Sequence, residues 1–190
     1  MQNLNQTAQQ ILDIAEYYTQ TRGYNAFSYK DIQHEVGIKT SSIHYYFPTK
    51  QDLALIMTAR YIERFNTQLN DIAEHNPKGL TQLNALCRIY VDTVKQGKFC
   101  LCGMLASDMS ALPPPVTNKL NGFFKQLTHW ITDAIELGKQ QGDIHEAVRA
   151  KAAAAQLLAT LEGGMLIARA QNKPSHLANL IAEALQQMQA

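Results

Sequence analysis

Residues 36–51 read VGIKTSSIHYYFPTKQ, and this stretch decides the fold. Gly37 supplies a turn between two short helical segments, and Pro48 ends the second of them. Two short helices joined by such a turn have the spacing of a helix-turn-helix motif. The stretch contains Lys39 and Lys50 but no acidic residue, and it is rich in side chains that donate to phosphates and base edges. It therefore predicts a local surface suited to DNA.

Helical signals flank this stretch on both sides. Upstream, apolar residues at three-and-four spacing predict a first helix over residues 4–21, beginning at Leu4. Two capping boxes, Ser28 with Asp31 and Thr49 with Asp52, predict the starts of the second and fourth helices. The fourth extends over about residues 51–75. Three short helices therefore precede one long helix.

The same periodicity continues through the rest of the chain. It predicts five further helices, over roughly residues 80–97, 103–109, 116–142, 145–171 and 174–189. Sustained alternation of apolar and polar residues, the signal of a strand, is missing from the sequence. The predicted fold is all-α with about nine helices. We expect residues 1–50 to form a DNA-binding domain and residues 51–190 to form an effector-binding and dimerisation domain.

Composition narrows the class of protein. Hydrophobic residues make up 46% of the 190 residues, with only 6 Pro and 10 Gly, which excludes general disorder. The formal net charge of +1 provides no global attraction for nucleic acid, so any DNA binding depends on a local patch. Three cysteines do not suggest a disulfide framework. Residues 152–170 are interrupted by polar groups, and the N-terminus lacks a signal-peptide pattern, so we expect a cytoplasmic protein without a membrane segment.

Four short segments together resemble the N-terminal signature of the TetR family of transcriptional repressors. They are YKDI at 29–32, VGI at 36–38, SIHYYF at 42–47 and KQDL at 50–53. The resemblance is specific over about residues 8–60. It is weaker at AIELG (134–138) with GDI (142–144), and at LEGGMLIAR (161–169), which resemble parts of family C-terminal domains. Pro48 and His44 depart mildly from the family pattern, which affects the exact base contacts.

The resemblance implies that residues 39–46 form a recognition helix in the major groove. Lys39, Thr40, Ser41 and His44 are then the candidates for base edges, and other polar groups nearby would hold phosphates. Since Tyr45 and Tyr46 cannot both face outward on a short helix, one of them is expected to lie partly in the core. The full set of predicted DNA-contacting residues is Ser28, Tyr29, Lys39, Thr40, Ser41, Ser42, His44, Tyr45, Tyr46, Thr49 and Lys50.

The last two predicted helices carry more apolar surface than one helix face needs. Such an excess suggests that two helices from each subunit pair into a four-helix bundle, as in similar repressors. Gly163 and Gly164 would allow the backbone of a partner to approach closely. The alternative is that this face closes on its own chain. The predicted interface residues are Leu158, Leu161, Met165, Leu177, Leu180, Ile181 and Leu185.

The middle helices are rich in soft and aromatic side chains. The resemblance implies an effector cavity between these helices, although such side chains are also typical of an ordinary core. Few charges occur here, so the expected effector is mostly apolar, and we expect neither a cofactor nor a metal ion. The predicted effector-binding residues are Tyr90, Phe99, Cys100, Met104, Met109, Phe123, Phe124, His129 and Trp130.

The sequence thus favours a homodimeric repressor, not an enzyme, that binds double-stranded DNA at a palindromic operator and responds to a small molecule. Three alternatives remain open. The same fold could sense electrophiles or oxidants through Cys100, although Cys100 and Cys102 are also typical packing residues. A small helical enzyme using these two cysteines would lack a general base. A co-regulator could have kept the fold while binding protein in place of DNA.

Overall fold

The computed structural model describes residues 5–190 and contains nine α-helices within that range. Leu4, where the sequence placed the start of the first helix, lies outside the described residues. The all-α prediction is confirmed. The helices are α1 (Gln6–Arg22), α2 (Tyr29–Val36), α3 (Thr40–Tyr46), α4 (Lys50–His75), α5 (Gly79–Lys95), α6 (Leu101–Ser107), α7 (Pro114–Gln140), α8 (Ala150–Ala170) and α9 (Ser175–Gln186).

The described residues divide into two compact units. One contains the chain up to Glu63 together with Cys100–Asn121, and the other contains Arg64–Phe99 together with Gly122–Ala190. The division differs from the expected boundary at residue 50 because the first unit also contains residues 50–63 of α4, and α6, which packs against α1. The domain boundary proposed from the sequence concerns function, and it stays a prediction.

In the first unit, α1 packs against α2, α3 and α6. Ile11 and Leu12 of α1 and Ile32 of α2 are completely buried. So are Ile43 in the middle of α3 and Phe47 at its end. Burying side chains of this size contributes about 1.5–3 kcal/mol each relative to exposing them. These contacts fix the angle between α2 and α3, and so determine which side of α3 faces outward.

In the second unit, α8 packs along α9 and against α5. This packing opposes most of the predicted dimer interface, which stays a prediction. Six of the seven residues assigned to it are buried within the single chain, so contacts of the same subunit already account for their apolar character: Leu158, Leu161, Met165, Leu177, Ile181 and Leu185. Leu180 alone of the seven is half-buried and still reaches the surface. The predicted helices are present, and α9 of the same subunit packs against the apolar face of α8.

The two adjacent glycines of α8 also have different surroundings. A Cβ atom on Gly164 would lie 2.7 Å from Leu177 Cδ1, so this glycine permits the close approach of α9 within the chain. A Cβ atom on Gly163 would meet nothing within 4 Å. The expectation that both admit a partner backbone is therefore wrong for Gly164.

The start of α8 is another difference from the sequence-based prediction. The helix begins at Ala150, whereas the periodicity placed its start near residue 145. The intervening backbone contacts the C-terminal segment: the His145 amide donates to the Met188 carbonyl at 2.9 Å, and Ile144 forms a β-bridge with Gln189. A long-range backbone contact of this kind leaves no local signal in the sequence.

Across the described residues, none of the helices combines the length and the apolar character that crossing a membrane requires.

Candidate nucleic-acid interface

The start of α2 is held by the capping box that the sequence predicts. The Ser28 amide and hydroxyl both donate to Asp31 Oδ2 at 2.7 Å. These hydrogen bonds hold the pKa of Asp31 below its usual range, because they favour the charged carboxylate. Gly37 then ends α2 with a φ of +73°, a left-handed conformation that glycine adopts without strain. The turn delivers the chain to the start of α3.

Tyr29 has a structural position. Only 8% of the residue is exposed, and its hydroxyl donates to the Phe47 carbonyl at 2.8 Å. Burial raises the pKa of Tyr29 well above its usual value. The phenol therefore fastens the end of α3 to the start of α2. This contact and the burial of the ring oppose the phosphate contact that the resemblance implies for Tyr29.

Lys50 also differs from its expected role. Its Nζ donates to the carbonyls of Tyr24 and Phe27 and lies 4.5 Å and 4.1 Å from the centroids of their rings. Burial lowers the pKa of Lys50, against the opposing influence of the Asp108 and Asp31 carboxylates. In this arrangement the ammonium ties the first turn of α4 to the segment between α1 and α2, which opposes the phosphate contact expected of it.

Three further residues predicted to contact DNA have polar atoms bonded within the protein, at the starts of α2 and α4 and at the end of α3. The Thr49 amide, assigned to a phosphate, donates to Asp52 Oδ2 at 3.0 Å in the second capping box. His44 Nδ1 lies 3.0 Å from the Pro48 carbonyl, and its ring packs edge-on against Tyr29. The Ser28 amide and hydroxyl are engaged in the same way by Asp31. All three residues are exposed, but these polar atoms already have partners within the protein.

The remaining predicted residues lie on the outer side of α3. Lys39 and Ser41 are exposed, Thr40 and Ser42 are half-buried, and Tyr45 is 82% exposed. Tyr46 turns partly inward, as expected for one of the two tyrosines, and its hydroxyl accepts from Asn5 Nδ2 at 2.8 Å. The structure thus brings one lysine, three hydroxyl residues and one exposed phenol together on a short helix. That DNA contacts these residues stays a prediction.

Gln33 contributes to the start of α3 in a way that the sequence does not predict. Its side-chain oxygen accepts from both the amide and the hydroxyl of Thr40, so it caps the first turn of α3 from the neighbouring helix. The Lys39 side chain at the cap position makes no such bond. A glutamine seven residues before the helix lies outside the usual capping patterns, so no local signal identifies it.

The predicted effector-binding residues fall into both compact units. In the second unit, Tyr90 and Phe123 are buried against Phe65, whose ring centroid lies 6.5 Å and 5.3 Å from theirs. The Tyr90 hydroxyl donates to Glu162 Oε1 at 3.1 Å. Phe124 and Trp130 are half-buried. The Phe65, Tyr90 and Phe123 cluster has the character of an ordinary core, which is the alternative to an effector cavity that the sequence leaves open.

Other members of that predicted set lie elsewhere. The side chain of His129 is 78% exposed and pairs with Asp133 at 3.6 Å, so it is a surface residue. Met109 is 44% exposed, and Met104 is half-buried. Phe99 and Cys100 are both buried, and the Tyr61 hydroxyl lies 3.9 Å from Cys100 Sγ. The outward position of His129 contradicts its expected role as a polar contact inside a cavity.

Two family models match the chain, one near the N-terminus and one in the C-terminal part. Residues 11–56 match the model of bacterial regulatory proteins of the tetR family, and residues 79–184 match the tetracyclin repressor-like C-terminal domain. None of the proteins with curated descriptions matches the chain. The first match includes α2, α3 and the turn between them, and the second covers α8 and most of α9.

Solved structures agree along almost the whole length. A TetR-family regulator from Agrobacterium tumefaciens is 32% identical, with a TM-score of 0.92 over 97% of this chain and 98% of that one. A TetR regulator from Legionella pneumophila is 30% identical, with a TM-score of 0.83 over 98% and 100%. The reduced form of E. coli NemR shares the fold at 17% identity and a TM-score of 0.84, over 98% of both chains. With a helix-turn-helix at its N-terminus and a helical C-terminal domain, the chain belongs to the TetR family of DNA-binding transcriptional regulators.

Proposed function

We propose that the protein is a cytoplasmic homodimeric repressor, which binds a palindromic operator and leaves it when a small effector binds. Each subunit would insert α3 into one major groove, with half-sites about 34–36 Å apart or a multiple of that distance. The observation that carries the proposal is the outer side of α3, a helix that contains no acidic residue. Lys39 at its N-cap and Ser41 and Tyr45 within it are exposed.

A salt titration of operator binding tests the DNA part of this proposal. A duplex selected from a random library by the wild-type protein serves as the probe. Because each phosphate contact contributes about 0.9 to the slope of log affinity against log salt, and a dimer carries two copies of Lys39, Lys39→Ala is expected to lower that slope by about two. Lys173→Ala removes an equally exposed lysine near the end of α8 and is expected to bind like wild type. Identical slopes for wild type and Lys39→Ala would contradict the assignment.

The outer face of α8 supports the dimer. Exposed or half-buried small and apolar residues recur there at three-and-four spacing. Ala152, Ala159, Gly163 and Ile167 also border a groove of about 690 Å³ between α8 and α9. Leu166 and Ile167 are 58% and 45% exposed in the single chain, which is unusual for such large apolar side chains on neighbouring positions. A second copy of the chain would cover this face. The outward residues are Ala152, Ala155, Ala159, Gly163, Leu166 and Ile167.

A cysteine-based sensor is the second candidate. Cys100 occupies the N-cap position of α6, and the Tyr61 hydroxyl at 3.9 Å could stabilise a thiolate. Its exposure of 3% opposes rapid reaction with electrophiles. Operator affinity before and after a mild electrophile, in wild type and in Cys100→Ser, separates the two candidates. Sensing predicts a loss of binding that the serine variant resists, and a packing role predicts no loss in either protein.

A further inference from the structure

A cavity of about 280 Å³ lies within the second compact unit, between the last turns of α5 and α8. Its volume is near the lower end for small-molecule sites, which suits a compact ligand. One wall is apolar, formed by Val94, Phe99 and Met165. Among the described residues, three cations and no acidic residue line this cavity: Lys95, Lys98 and Arg169.

The guanidinium of Arg169 lies over the aromatic ring of Phe99. Its Cζ is 4.8 Å from the centroid of the Phe99 ring, and Phe99 is only 5% exposed. A cation held over an aromatic face loses less conformational freedom when it binds a ligand. The apolar wall and the positive charge therefore meet at the Phe99 ring.

The ends of the two helices would oppose an anion if their last carbonyls were open. They are instead satisfied by the turns that follow. The amides of Gly97 and Lys98 donate to α5 carbonyls at 2.9 Å and 3.1 Å, and the Lys173 amide donates to the Ala168 carbonyl at 2.8 Å. These bonds offset the negative ends of both helices. Asp92 pairs with Lys95 at 3.3 Å and so offsets one of the three positive charges that line the cavity.

We propose that this cavity binds a small organic carboxylate, with its apolar body against Phe99 and its carboxylate against Arg169 and Lys98. A carboxylate matches the planar fork of arginine, and the apolar wall favours a hydrocarbon body over a fully hydrated phosphate. The inference rests on the effector part of the proposed function and deepens it. It replaces the mostly apolar effector expected from the sequence with an anionic one. Carboxylate binding at the cavity can be measured without DNA, so the failure of this proposal can be distinguished from the failure of the proposed repressor function.

Calorimetric titration of the full-length protein with benzoate tests the proposal. Wild type is expected to bind with a dissociation constant of roughly 1 mM or below, and more weakly as salt is raised. Arg169→Met keeps an unbranched apolar stem over Phe99 but removes the charge, and it is expected to weaken binding at least about tenfold. Lys173→Met removes one charge outside the cavity and is expected to bind like wild type.

Benzamide, which has nearly the same shape without the negative charge, is expected to bind at least about tenfold more weakly than benzoate. Lys98→Met is the second variant if Arg169→Met does not fold, and circular dichroism checks both. Three results would each overturn the proposal. These are no binding of benzoate to wild type at roughly 10 mM, equal binding by the folded charge-removing variant, and equal binding of benzamide. Operator binding measured with and without benzoate then reports separately on release from DNA.

Discussion

The ammonium group of Lys50 lies between the backbone carbonyls of Tyr24 and Phe27 and beside both of their rings. The Tyr24 hydroxyl in turn donates to the Lys50 carbonyl at 3.1 Å. One residue thus connects the start of α4 to the segment that precedes α2. A lysine at the beginning of a helix after a recognition motif suggests a phosphate contact, but the half-buried position supports a structural role.

We expect Lys50→Met to lower the free energy of unfolding by about 1–3 kcal/mol, because two carbonyls lose their charged donor while the apolar stem is kept. We also expect the salt dependence of operator binding to stay unchanged. Urea unfolding and a salt titration measure the two effects, with Lys39→Met as the control that changes only the second. A Lys50→Met protein that is as stable as wild type but has a smaller salt slope would instead support a phosphate contact by Lys50.

At the scale of the element, the sequence predicted the helices because their signals are local. The Ser28–Asp31 and Thr49–Asp52 boxes and the left-handed Gly37 each act within one turn, and all three occur where expected. Other features depend on partners outside the same helical turn. The segment before α8 bonds to the Met188 carbonyl, and the Thr40 amide is capped by Gln33 of α2. Local patterns contain no information about such contacts.

The same limit applies to the residues predicted to form the dimer interface. Periodicity shows that Leu161 and Leu177 face something apolar, but it does not reveal whether that partner is α9 or a second subunit. Both are completely buried within one chain. Likewise, Arg169 in the last turn of α8 is typical of a helix end, and only the structure brings it to the Phe99 ring.

The hydrogen bonds from Thr40 to the Gln33 side chain help to keep the first turn of α3 folded. The helix has only seven residues, so one lost cap is a large part of its stability. Gln33→Ala should cost about 1 kcal/mol and increase hydrogen exchange at the first amides of α3, with weaker operator binding. Gln33→Glu keeps acceptor oxygens for Thr40, so its amides should stay protected while the added negative charge weakens DNA binding. Equal protection in all three proteins would show that the cap contributes nothing.

At the scale of the whole molecule, a formal net charge of +1 leaves affinity for DNA to short local faces. One α3 presents few contacts, so two copies held at a fixed spacing bind far more tightly than one. The fold provides a surface for that pairing, because α8 buries one side against α9 and α5 and leaves a small and apolar opposite side exposed. DNA binding and dimerisation are therefore expected to fail together when this surface is disrupted.

Ala159→Glu tests this relation. Ala159 is exposed and borders the groove between α8 and α9, so the glutamate is tolerated in a single subunit but is buried without a partner in the dimer. Ala73→Glu introduces the same change at an exposed site on α4 and serves as the matched control. We expect sedimentation velocity to show a folded monomer for Ala159→Glu, with an operator affinity reduced by about tenfold or more, and a dimer for Ala73→Glu. Leu161→Glu is expected to unfold the subunit, because Leu161 is completely buried. A folded Ala159→Glu dimer that binds the operator like wild type would move the interface away from the outer side of α8.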